Sequence, residues 1–261
     1  MRRLAAPLPI VLALGAIILA SVAGARADAR AEGPTGIEKC QTISNPGSYK
    51  LVSNLTATGD CLLINADFVT VDLAGFTISG SGDGTAIQFT GPTPQVPRRG
   101  IAVRNGTISS FATAIQFIRI GGTDGTIFEG LRIFGLAGAM TGTDGILARA
   151  AIVRGNTVVC GPGSLTGIRI VDGSVTNNVV VNCANGIDAF GGVVSGNDVT
   201  SDTGTGIAID GGTVISNTAT NNGVGISATC PANLTDNTAV GNATNLVLNG
   251  SGCNNTNNVA P

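Results

Sequence analysis

The side chains that could do chemistry in this sequence are few, and they gather in one region. Thr-Ala-Ile-Gln-Phe occurs twice, at 85–89 and 113–117, and puts Gln88 and Gln116 at matching places. Each copy runs into a longer, polar stretch, 91–99 and 118–125, which together supply Arg98, Arg99, Arg119 and Asp124. An arginine fork can hold a carboxylate through two parallel hydrogen bonds, with glutamine amides orienting neutral groups beside it. That chemistry is recognition of an acidic ligand. Histidine is absent, so no imidazole base or imidazole metal ligand exists. There is one Tyr and no Trp, so aromatic platforms for stacking sugars are missing as well.

Those residues need elements to position them, and composition restricts the choice. Gly accounts for 39 of 261 residues and charged residues for only 11%, which excludes coiled coils and helix-rich globules. Arg2 and Arg3, the apolar run from Leu4 to Ala23 and Ala25-Arg26-Ala27 read as a secretory signal peptide, residues 1–27. An uncleaved anchor is the alternative, and Pro7 and Pro9 count against it. Residues 28–36 read as a flexible lead-in. No later stretch is apolar enough to cross a bilayer. Without residues 1–27, 11 basic and 16 acidic groups remain, net −5, and Arg169 is the last base. An acidic C-terminal third repels phosphate, so nucleic acid is not an expected partner.

The dominant pattern is a repeat. Asn156, Asn178, Asn197, Asn217, Asn237 and Asn258 follow one another at steps of 22, 19, 20, 20 and 21. Val153, Val175, Val194, Val214 and Leu234 stand three places before the first five, and Asn255 takes the sixth place. A second frame, Ile146, Ile168, Ile187, Ile207, Ile226 and Leu246, keeps step with the first. It extends backward to Ile115 and Ile87, and Val103 and Phe128 match the first frame. Within Thr205-Gly206-Ile207-Ala208-Ile209 the apolar residues alternate, as on a strand with one buried face, before the turn at Asp210-Gly211-Gly212. Three short strands in about 20 residues make one coil of a β-solenoid, and stacked coils share one apolar column. The repeated Asn is expected at a corner, in left-handed backbone, its amide bonding the amide of the next coil. The sequence thus predicts an all-β parallel helix of eight or nine coils over 65–261, about 40 Å long, behind an N-terminal cap at 37–64. The first regular coil is expected at Asp67 to Ile78.

The Asn series and the Gly-Ile strands, as in Asn185-Gly186-Ile187 and Thr205-Gly206-Ile207, resemble the right-handed parallel β-helix repeat proteins: the pectate-lyase-like fold and the NosD-type periplasmic group. The resemblance covers about residues 40–261. It implies the fold and leaves function open between polysaccharide lyases, hydrolases, epimerases, adhesins and scaffolds. Hydrolases of this group pair Asp with a Gly-His-Gly segment, and alginate-active members rely on His and Tyr; neither pattern is present. Pectate-lyase-like enzymes use an Arg base with acidic Ca²⁺ ligands, for which Arg98, Arg99 or Arg119 could serve, but no compact acidic cluster lies beside them. The expectation is an exported, monomeric, non-enzymatic β-helix in the periplasm, at the cell surface or secreted, with no cofactor or metal. Its partner would be a polysaccharide or envelope component. A uronate-polysaccharide lyase, with Ca²⁺, is the alternative.

The step from Cys40 to Cys61 is 21, and the steps from Cys160 to Cys183 and from Cys230 to Cys253 are each 23. Each gap is about one coil, so the disulfides Cys40–Cys61, Cys160–Cys183 and Cys230–Cys253 are predicted. Arg104, Glu129 and Arg154 fall on one outward position as an alternating charge series, and Arg169 and Asp188 are predicted neighbours. Asn254, Asn255, Asn257 and Asn258 make the last coil polar, which discourages further stacking.

Overall fold

Apolar side chains on alternate strand positions, interrupted by Gly, Asn and Asp every few residues, force the chain to turn and bury the same side again. In the computed structural model, which describes residues 33–89, 99–117, 125–136, 144–161 and 166–261, the result is a right-handed parallel β-helix of about nine turns. The described residues contain no helix, and therefore none long and apolar enough to cross a membrane. The segment expected to be a signal peptide, 1–27, lies outside the described residues.

Each coil contributes to three faces. The first includes Val69–Asp72, Ala151–Arg154, Ser174–Thr176 and Val193–Ser195. The second includes Thr77–Ser79, Thr157–Val159, Val179–Val181, Asp198–Thr200 and Thr218–Thr220. The third includes Thr85–Phe89, Thr113–Phe117, Asp144–Arg149, Thr166–Val171 and Asn185–Phe190. Where a corner is gentle, two faces join into one long strand, as in Thr126–Phe134 and Val224–Thr235.

Register confirms both sequence frames. Ile87, Ile115, Ile146, Ile168, Ile187, Ile207 and Ile226 stack directly over one another, all buried, and Leu246 follows. Val103, Phe128, Val153, Val175, Val194, Val214 and Leu234 form the matching column on the first face. Each fully buried Ile or Val removes enough apolar surface from water to contribute about 2 kcal/mol. Coiling begins earlier than Asp67. Thr35–Ile37 pairs with Gly47–Leu51, and Gln41–Ile43 with Leu62–Ile64, so segment 37–64 runs in the same faces. Partners on the first face there are Thr35, Tyr49, Val71, Val103 and Phe128. The steps between them are uneven, and irregular spacing hides a repeat.

The corner between the first and second faces corrects one expectation. The left-handed residue is not the repeated Asn but the one before it: Gly155 (φ 61°), Asn177 (54°), Gly196 (64°), Ser216 (53°), Asp236 (54°) and Asn257 (54°). The Asn itself turns inward. Asn178 Nδ2 donates to Asn197 Oδ1 at 3.0 Å and to the Val153 carbonyl at 3.0 Å, and Asn156, Asn197, Asn217 and Asn237 repeat the pattern. A side chain that must satisfy carbonyls inside the corner cannot also lie at its outer bend.

The corner between the second and third faces carries a second inward column, which explains the Gly of the later Gly-Ile segments, whereas Gly145 and Gly167 make room for Val158 and Val180. A Cβ on Gly206 would lie 2.5 Å from Asn222 Nδ2, and one on Gly225 would lie 2.5 Å from Asn242 Nδ2. The missing side chain makes room for the amide of the next coil. The three predicted disulfides are formed, with Cα separations of 4.4, 4.9 and 5.0 Å for Cys40–Cys61, Cys160–Cys183 and Cys230–Cys253. At the C-terminal end Asn254–Thr256 is exposed throughout, and Val259 hydrogen-bonds back to Asn237 and Ala239.

Candidate functional site

The third face brings Gln88 and Gln116 into register, side by side and outward. Gln116 is exposed; Gln88 donates its amide to Asp60 Oδ2, while Asp60 Oδ1 accepts the Thr85 N–H at 2.8 Å. Gln88 is thus held by its own strand's neighbour. Arg99 is exposed, and its backbone N–H donates to Asp67 Oδ1 at 3.1 Å. Its backbone carbonyl accepts the Phe68 N–H at 2.7 Å, at the entry to the first face. Arg98, Arg119 and Asp124 lie outside the described residues.

Further along the third face is a group that spacing revealed only in part. Arg169 Nε donates to Asp188 Oδ2 at 3.1 Å, the neighbour pair expected from the repeat. Its Nη2 donates to Thr166 Oγ1 at 2.9 Å, and its Nη1 stands 3.7 Å from Asp144 Oδ2. Asp144 belongs to neither sequence frame. It lies at the polar place before Gly145-Ile146, just as Thr166 precedes Gly167-Ile168, and it is only 1% exposed. Burial pushes its carboxyl up from the ordinary 3.8 to about 6, the Arg169 charge opposing the rise. An acid near that value could donate a proton at neutral pH. Its burial denies a substrate oxygen any approach, and Arg169 has all three nitrogens engaged. Asp144 and Asp188 are already bridged by a guanidinium, so this pair does not fit a Ca²⁺ site. Among the described residues no group of three or more acidic or Cys ligands converges.

A different surface is open. Along the first corner, Gly75, Asn105, Gly130, Gly155 and Asn177 follow one another in five successive coils, an extent of about 19 Å. Two adjoining hollows of about 310 and 330 Å³ share Asn105 and Gly130 and form a trough over this column. One wall is the predicted charge series, now extended by Asp72: register runs Asp72, Arg104, Glu129, Arg154. It resolves into two pairs, Arg104 Nε to Asp72 Oδ2 at 3.4 Å and Arg154 Nη2 to Glu129 Oε2 at 2.6 Å. Thr107, Arg132 and Thr157 form the other wall. Arg132 is exposed and has no ion-pair partner among the described residues. The sequence held the signal, an Arg just beyond the Glu129 position, but only the stacking shows that it stands beside a floor of glycines and asparagines.

No protein-family model matches this sequence, and no curated protein matches it. A solved structure similar to this chain is that of the Dettilon tailspike protein (gp208), at a TM-score of 0.50 and 14% identity. The likeness covers 86% of this chain and 60% of that one, so this chain spans less than two thirds of the length of the protein it resembles. At that identity the likeness establishes the shared parallel β-helix fold.

Proposed function

We propose that this chain is an exported, non-enzymatic β-helix that contacts a polysaccharide or another extended envelope polymer through the first-corner trough. The observation that carries the reading is Arg132: a guanidinium with no ion-pair partner among the described residues, above a floor of backbone and small residues long enough for several sugar units. Such a surface offers one anion contact and a row of hydroxyl and amide groups, without an accessible acid–base pair. Three disulfides suit an oxidising, extracytoplasmic compartment, and the similar solved protein is a tailspike.

The test is binding of pectate, alginate and neutral glycans to the chain lacking residues 1–27, with and without Ca²⁺, followed by calorimetry and by absorbance of unsaturated uronate. Saturable binding of an acidic glycan, weakened about tenfold or more in Arg132→Ala and unaccompanied by product, is the expected outcome. Unsaturated product that disappears in Arg119→Ala replaces this reading with a uronate lyase. Binding unchanged in Arg132→Ala removes the trough from the proposal.

A further inference from the structure

The second inward column is not chemically uniform. Asn242, Asn222 and Asp202 occupy it in successive coils, evenly spaced, and Cys183 precedes them. The asparagines use both ends of their amides. Asn222 Oδ1 accepts the Asp202 N–H at 2.9 Å and Asn242 Oδ1 accepts the Asn222 N–H at 2.8 Å. Asn222 Nδ2 donates to the Val199 carbonyl at 3.2 Å and Asn242 Nδ2 to the Ala219 carbonyl at 2.9 Å.

Asp202 reproduces only the first half. Its Oδ1 accepts the Cys183 N–H at 2.6 Å. Its Oδ2 fills the place of the donating nitrogen, crowding Gly186 as Asn222 Nδ2 crowds Gly206 and Asn242 Nδ2 crowds Gly225. Register runs Val180, Val199, Ala219, so the carbonyl opposite Oδ2 is that of Val180. No N–H reaches Oδ2 among the described residues, and the residue is 2% exposed. A carboxylate here would set an anionic oxygen against a carbonyl oxygen with no water to screen them.

We propose that Asp202 folds as a neutral carboxylic acid standing in for an asparagine of this column, its proton donated to the Val180 carbonyl, and that its ionisation loosens this corner as pH rises. Burial supports this, holding the carboxyl up at about 7 against the smaller opposing effect of the Cys183 N–H. The groups that face it are Cys183, Gly186, Asn222 and the strands bearing Val180 and Val199. None of them titrates, because Cys183 is locked to Cys160. The switch therefore belongs to one residue. The sign is set by a folded value raised above the ordinary 3.8. The favourable contribution is complete below about pH 4, declines as pH rises, and is gone above about 7.

Two measurements test it. In the wild-type chain, NMR of the Asp202 carboxyl carbon, assigned through its backbone, should titrate near pH 7; titration near 4 overturns the proposal. In denaturant, wild type and Asp202→Asn should have similar folding constants at pH 3, whereas at pH 8 the variant's should be larger by up to about 10³-fold. The same stability difference at both pH values, or a less stable variant at pH 8, overturns it.

Discussion

Asn197 delivers two N–H groups to a single atom of Asn217: its backbone N–H and its Nδ2 both end on Asn217 Oδ1, each at 2.9 Å. Each amide from Asn156 to Asn237 is therefore both the acceptor for one neighbouring coil and the donor to the next. Replacing Asn217 with Ala takes the acceptor from the buried Asn197 backbone N–H and one of three acceptors from Asn197 Nδ2, and leaves the Val194 carbonyl without the Asn217 Nδ2 donor. At about 1–3 kcal/mol for each unsatisfied group, the variant should lose on the order of 3 kcal/mol or more, read as a fall in the denaturant midpoint. Ser216→Gly, at the left-handed bend beside it, should not destabilise, because glycine adopts φ 53° without strain.

Gly206→Ala tests the room left for the second column. The new methyl would meet Asn222 Nδ2 at 2.5 Å and the Gly225 carbonyl at 2.9 Å. Overpacking of this kind costs roughly 1–3 kcal/mol. Gly59→Ala, where nothing lies within 4 Å, is the matched control and should stay within about 0.5 kcal/mol of wild type. Equal thermal shifts in the two variants would refute the account of the Gly-Ile segments.

Asp144→Asn should raise stability at neutral pH. The buried carboxyl has a folded value near 6 against the ordinary 3.8, so its favourable contribution is complete below about pH 4 and lost as pH climbs through 6. Removing the ionisable group should gain up to about 3 kcal/mol at pH 8 and little at pH 3. Arg169→Leu should push the Asp144 titration higher still, because the Arg169 charge holds it down. A carboxyl-carbon titration of Asp144 in both backgrounds checks the direction.

Removing residues 244–261 takes away Cys253, the bond partner of Cys230, and the polar coil that covers Ile226, Ala228 and Leu234. The truncated chain should melt lower, by an amount corresponding to about 3 kcal/mol for the lost loop closure alone. It should also self-associate through its newly exposed edge in size-exclusion chromatography. A monomer as heat-stable as the longer chain would show that the last coil does not shield the column.

Ile187 and Val194 were legible in the sequence because their places recur once per coil at nearly constant intervals and every strand alternates. Cys160 and Cys183 were legible because one coil separates them. Asp144 was not, because its environment is made by residues one and two coils away, Arg169 and Asp188, and burial of a polar place leaves no mark in local pattern. Asp202 was visible in principle, one repeat before Asn222 and two before Asn242. The first-corner asparagines masked it by repeating over more coils. Arg132 reads as an ordinary surface cation until stacking places glycines beside it.

The shared chemistry of the first corner has an evolutionary side. Each coil from Asn178 to Asn237 presents the same acceptor upward and the same donors downward, so its upper and lower surfaces are interchangeable with those of its neighbours. A block one coil long, duplicated or deleted between Asn197 and Asn237, would leave every remaining first-corner joint with a partner it already fits. The gene can therefore lengthen or shorten this rod in whole steps by unequal recombination, using height rather than sequence as the variable that selection adjusts.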